Sequence, residues 1–145
     1  MAQGKELAML DRQECLELLQ RVRVGRLVFT EGALPAVQPV NFRLFRDNVV
    51  IRVAGGVKLE AAARNFVVAF QADELDPDLR TGWSVTVVGH AQRITDVDEL
   101  VAVSGTFVQP WAAGTRDQFV RILTEKVTGR RLRESGGCHA LSSDT

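Results

Sequence analysis

Two adjacent glycines, Gly55 and Gly56, constrain the fold of this chain more than any other feature, because the period of its apolar residues changes across them. Before them, residues 36–46 alternate around Val37, Val40, Phe42 and Leu44, and residues 48–53 form a denser run of β-branched side chains, the pattern of two strands. Asp47-Asn48 between the runs is a tight-turn signal, so the strands make a hairpin. After the glycines, Leu59, Ala62, Ala63 and Phe66 fall at helical spacing. The pair therefore joins a strand to a short helix and sets Lys58 at or near its first turn. A helix start offers unpaired backbone N–H groups and the positive end of the helix dipole, which together with an ammonium group suit a phosphate.

The 145 residues are the length of one domain, enough to bury about 70% of the unfolded surface. Lysine plus arginine equals aspartate plus glutamate at 18 each, which leaves no net field to draw in nucleic acid or an anionic membrane. No apolar run reaches the roughly 20 residues of a membrane span, and the apolar stretch after Lys5 and Glu6 is too short for a secretion signal. A cytoplasmic protein with reduced thiols is expected, since Cys15 and Cys138 are unlike a disulfide framework. Three segments are expected: a flexible arm over 1–9, one domain over 10–133, and a disordered, polar tail over 134–145.

Within the domain, Asp11 with Glu14 makes a capping box and Leu10 with Cys15 a hydrophobic staple, starting a helix over 12–21 in which Cys15 is buried packing. A strand over 24–30 turns at 31–35 into the strand beginning at Ala36. Pro39 removes a ladder donor and implies a bulge or a sheet edge. Beside a bulge, the backbones of Val40 and Asn41 become free to face a ligand; a kinked barrel strand is the bland alternative. Residues 65–73 read as a buried strand and 73–80 as a solvated acidic turn that lacks the spacing of a calcium loop. Another strand spans 84–94, entered through Trp83, which either fills a core corner or stacks on a planar ligand. His90 has no companions at metal-ligand spacing and reads as structural. A helix over 96–104, capped by Thr95 or Asp96, ends at Gly105. Residues 108–117 are irregular but aromatic, which makes Trp111 and Arg116 candidates for a ligand lid or a dimer contact. A last strand over 119–127 leads to Arg130, Arg131 and Arg133, a cluster that could bind a phosphate but reads by default as a solvated strand end. About six strands with two or three short helices and no βαβ alternation make a mainly β barrel or α+β domain. The Walker loop, GxGxxG, HExxH and GxSxG signatures are absent from the sequence.

Taken in order, PVNF (39–42), VVIRVAGGVKLEAA (49–62), VAFQAD (68–73), GWSVTVVGHA (82–91) and PWAAGTRD (110–117) resemble the pyridoxamine 5′-phosphate oxidase-like family of flavin-binding split β-barrels. That resemblance implies a six-stranded split β-barrel that forms a homodimer, with FMN, or in some relatives a deazaflavin or haem, in each of two interface clefts. It implies that the backbone around Val40 and Asn41 faces the isoalloxazine ring. Lys58 would hold the phosphate with Arg52 beside it, and Val53, Val57 and Leu59 flank these two. Trp83 and Ser84 match the start of a strand lining the cleft, and Trp111 and Arg116 match a segment that approaches the flavin from the same or the other subunit. Where members carry Thr after that Arg and Ser, Thr or Arg before that Lys, this chain has Val53 and Val57. Two lost hydrogen bonds of ~1 kcal/mol each imply roughly tenfold to hundredfold weaker FMN binding. Vitamin B6 oxidation is not expected, because the chain contains no Tyr for the substrate grip used in that reaction. The implied activity is an FMN-dependent oxidoreductase transferring hydride at flavin N5 with a small-molecule substrate. The alternatives are a non-catalytic carrier of FMN, deazaflavin or haem, and a cofactor-free dimer.

Overall fold

Paired residues with positive φ set the first two hairpins. In a computed structural model that describes residues 6–53, 64–107 and 118–133, Gly32 and Ala33 have φ of 55° and 66°, and Arg46 and Asp47 have φ of 53° and 64°. Positive φ at both central residues is the turn whose twist matches the flanking strands. The first turn joins β2 (Val24–Glu31) to β3 (Leu34–Phe45), and the second joins β3 to β4 (Asn48–Val53). The second turn thus lies at Arg46-Asp47, one residue earlier than expected. Asn48 is drawn into the strand, where its Oδ1 accepts from the Thr124 backbone N–H at 3.2 Å while the Asp47 carbonyl accepts from Thr124 Oγ1 at 2.8 Å.

The remaining elements are β1 (Glu6–Leu10), α1 (Arg12–Leu19), β5 (Val67–Asp76), β6 (Thr81–Arg93), α2 (Val97–Ser104), β7 (Gln118–Ile122) and β8 (Lys126–Arg133). The sheet order is β1-β8-β6-β5-β2-β3-β4-β7, and a further pairing of β6 with β7 closes the ring from β6 through β7 into a six-stranded barrel. β6 makes closure possible because it is long: Gly82–Val88 pair with β8, and Ala91–Arg93 pair with β7. Between these two ladders the chain turns a corner over Gly89. Leu123 N–H donates to the His90 carbonyl at 3.0 Å, and a Cβ built on Gly89 would lie 1.7 Å from the Leu123 carbonyl oxygen. The single last strand expected over 119–127 is therefore two strands. The corner falls at Leu123-Thr124-Glu125, which carries neither a glycine nor a proline to mark a break.

Two further expectations are corrected. Residues 6–9 do not form a loose arm: β1 pairs with β8 from Glu6↔Arg133 to Leu10↔Gly129. β8 is consequently paired on both sides rather than being a solvated strand end, although Arg130 and Arg133 keep exposed side chains. Pro39 marks no bulge, because β2 and β3 run in unbroken register from Val24↔Asn41 to Glu31↔Leu34. Phe42 N–H donates to Arg23 O, and bonded pairs alternate along an antiparallel ladder, so Pro39 falls where the nitrogen points away from β2. It points past the described end of β4, whose pairing with β3 stops at Asn41↔Arg52. The residue that would stand across from it on that side, at position 54, lies outside the described residues.

Alternate residues of these strands fill the barrel, with Phe42 and Phe70 at its centre, their rings 4.6 Å apart. α1 adds Cys15, Leu16, Leu18 and Leu19 to the same core. Its capping box is present: Asp11 Oδ1 accepts from Glu14 N–H at 2.8 Å, and Glu14 Oε1 accepts from Asp11 N–H at 3.0 Å. Burial pushes the Cys15 thiol up, and the negative charges of Asp11 and Glu14 add to this, which suits packing and not nucleophilic chemistry. α2, capped by Asp96, packs Val103 with Val50, Ile94, Phe107 and Phe119 in a second cluster. Neither described helix is long and apolar enough to cross a membrane. The helix expected after Gly55-Gly56 falls on residues outside those described; Asn65, with φ 57°, precedes β5.

Candidate functional site

Strand alternation divides the expected site residues between two faces. Val40, Val53 and Trp83 point into the barrel and are 6%, 2% and 3% exposed. Asn41, Arg52 and Ser84 take the opposite parity and lie on the outer face. There Asn41 of β3 stands directly across from Arg52 of β4, on the last described turn of chain before Gly55. Val57, Lys58, Leu59, Trp111 and Arg116 lie outside the described residues.

This arrangement revises several expectations. The backbones of Val40 and Asn41 are not released by a bulge. Val40 is in register with Gly25 of β2, and Asn41 with Arg52 of β4, so it is the exposed Asn41 side chain that faces outward. Val53 packs in the core, opposite in direction to Arg52, so a hydroxyl at 53 would not reach the surface that Arg52 serves. Its replacement of Thr therefore costs no contact on that face. The side chains of Trp83 and Ser84 lie on opposite faces of β6. The Trp83 indole N–H donates to Glu74 Oε1 at 3.2 Å, and its buried ring forms a wall of a cavity of about 550 Å³ that Arg21, Arg131, Arg133, Glu74 and Asp76 also line, with Arg21 3.4 Å from Glu74. The core-corner reading of Trp83 is the one observed.

Ser84 instead joins a polar cluster. Gln71 Nε2 donates to Ser84 Oγ at 3.1 Å and to Asp73 Oδ2 at 2.9 Å, and Arg26 Nη1 donates to Gln71 Oε1 at 3.1 Å. The β2–β5 ladder covers Arg26 to Val28, and at its end Arg26 Nη1 approaches Asp73 Oδ1 at 3.6 Å. The cluster runs from β6 across β5 to β2, and Asn41 and Arg52 follow on β3 and β4 of the same face. Arg26, Gln71 and Asp73 were not singled out from sequence. The available signal was a charged or amide residue at an alternating position of an otherwise apolar strand, in VGRLVF and in VAFQAD. His90, at the other end of β6, has Nδ1 at 3.0 Å from Glu125 Oε1, a pairing beside the Gly89 corner consistent with a structural role.

Around this polar face lies an apolar one. Val37, Val28, Ala69 and Val88 form one cross-strand row over β3, β2, β5 and β6, with Val67 beside it, while Val24 lies beyond Arg26 across from Asn41. Val24, Val37 and Val67 are each more than half exposed, at 56%, 64% and 54%.

The closed six-stranded barrel is a split β-barrel, with a polar row on its outer face that leads to Arg52 near the end of β4. The sequence profile of the pyridoxamine 5′-phosphate oxidase family matches residues 11–131, and the chain belongs to that family. An uncharacterized protein of Mycobacterium tuberculosis is 41% identical over 134 residues, 89% of this chain and 88% of its own length. Among solved structures, the FAD binding protein from Mycobacterium smegmatis is 36% identical with a TM-score of 0.71, over 86% of this chain and 98% of that one. A FAD-binding protein from Mesorhizobium loti is 27% identical with a TM-score of 0.70, over 90% of this chain and 100% of that one.

Proposed function

We propose that this protein binds a flavin nucleotide on the outer face of the barrel, beside Arg52, and acts as an oxidoreductase on a small molecule. The observation that carries the reading is the placement of Asn41 opposite Arg52 near the end of β4, from which the sequence continues into Gly55-Gly56-Val57-Lys58. Arg52 and Lys58 are suited to hold the 5′-phosphate, by charge-assisted hydrogen bonds from a guanidinium and an ammonium. Asn41 adds an exposed amide to engage the polar edge of a planar ring. Once bound, the flavin supplies hydride acceptance and donation at N5, so the protein's part is orientation and exclusion of water. Resemblance to two FAD-binding proteins supports a flavin, and the phosphate common to FMN and FAD is the group these cations recognise.

The same reading makes the protein a homodimer. A second copy would cover the exposed row around Val37, Val28, Ala69 and Val88 and turn the open outer face into a closed cleft, with Trp111 and Arg116 contributing from either subunit. Apolar area of this kind on a sheet face is what a stable partner removes from water. A carrier without turnover is the second reading, favoured because both FAD-binding relatives are named for binding rather than for a reaction.

Titration of the full chain with FMN, FAD and riboflavin, followed by flavin fluorescence, tests the site. FMN and FAD are expected to saturate at one per chain. Riboflavin, which lacks the phosphate, is expected to bind at least about tenfold more weakly, the loss of one charge-assisted contact. Equal affinity for riboflavin and FMN would remove the phosphate from the account, and no uptake of any flavin would reject the function.

A further inference from the structure

Arg23 and Arg43 line a second cavity, of about 370 Å³, between the end of α1 and the residues that follow α2. Arg43 is fixed there. Its Nε donates to the Thr106 carbonyl at 3.0 Å, its Nη1 to the Phe42 carbonyl at 2.6 Å, and its guanidinium lies 5.1 Å from the centre of the Phe107 ring. The remaining N–H groups of a planar five-donor fork have no protein acceptor among the described residues. None of the described residues lining the cavity is acidic, in contrast to the cavity beside Trp83, where Glu74 and Asp76 line the wall with the arginines. Two like charges therefore share a recess, one of them held in place by backbone carbonyls. Burial pulls the Arg43 guanidinium below its ordinary range, and the charge of Arg23 pulls it further. An anion between the two groups would offset both costs.

We propose that this cavity is a binding site for a small organic oxyanion, its phosphoryl or carboxylate head held between Arg23 and Arg43. Gln20, which also lines the cavity, adds an amide donor, and Val22 and Leu44 provide an apolar wall for the rest of the molecule. The volume falls in the range of small-molecule pockets and far exceeds the roughly 30 Å³ share of one water, so it accommodates more than an isolated ion. The site is independent of the flavin reading, because it uses neither Arg52 nor the corner at Lys58.

The Nε–H of Arg43 is a local reporter, since its acceptor is already known. In ¹H–¹⁵N spectra of the full chain, titration with inorganic phosphate and, separately, with butyrate is expected to shift this resonance saturably in at least one arm, and the responding arm identifies the head group. In Arg23→Gln, an exposed position where the fold should be unaffected, the response is expected to weaken at least about tenfold while the backbone spectrum is retained. A shift reproduced by chloride at equal ionic strength, an unchanged response in Arg23→Gln, or no shift in either arm up to tens of millimolar would overturn the proposal. Phosphate held only at the Lys58 corner would leave the Arg43 resonance still, and counts against it.

Discussion

Gly89→Ala is expected to destabilise the fold by about 3 kcal/mol and to lower the melting temperature by roughly 10 °C. The added Cβ would sit 1.7 Å from the Leu123 carbonyl oxygen and 2.8 Å from its carbonyl carbon, and these are backbone atoms, which cannot rotate aside. Relief requires the corner between β7 and β8 to move. That corner carries the Leu123 N–H bond to the His90 carbonyl and lies between the two ladders through which β6 closes the barrel and extends it. Gly105→Ala is the control: at the end of α2 the nearest atom to a new Cβ is 3.6 Å away, and a change within about 0.5 kcal/mol is expected. Urea unfolding of both variants makes the comparison. If Gly89→Ala unfolds with the parent, the corner does not cross where β6 has its glycine.

Lys58→Ala is expected to weaken FMN binding by roughly tenfold to a hundredfold, the range for losing a hydrogen bond from a charged donor, with the dimer intact. The phosphate would keep Arg52 and the backbone N–H groups of the two-glycine corner, so binding falls without vanishing. Raising salt should narrow the difference between variant and parent, because an ammonium–phosphate contact at a surface is screened. Lys126→Ala, an exposed lysine of β8, should bind FMN as the parent does. Fluorescence quenching on FMN addition measures all three proteins. Equal affinity in Lys58→Ala and the parent would put the phosphate elsewhere.

The features legible in the sequence were those decided by near neighbours. Asp11 and Glu14 cap α1 because they are three residues apart, and the strands of the barrel announce themselves by alternation. Features set by distant partners were not legible. β1 is five residues long, with a pairing partner, Gly129 to Arg133, at the far end of the chain. The β3–β4 turn sits one residue early because Asn48 is bonded to Thr124, whose position no local rule supplies. Arg26, Gln71, Asp73 and Ser84 come from three strands, and each alone looks like a solvated side chain. Val53 and Trp83, by contrast, look like cofactor contacts when motifs are matched along the chain, but side-chain parity turns both inward. The segment with Lys58 lies outside the described residues, and it is the part whose chemistry is to be tested in solution.

Native mass spectrometry of the full chain after incubation with FMN and FAD addresses the central claim, that two copies enclose a flavin whose phosphate is held at the end of β4. The predicted spectrum is a dimer carrying one flavin mass per subunit, with the flavin largely absent from Lys58→Ala dimers at the same concentration. A monomer, or a dimer that retains no flavin, would contradict it.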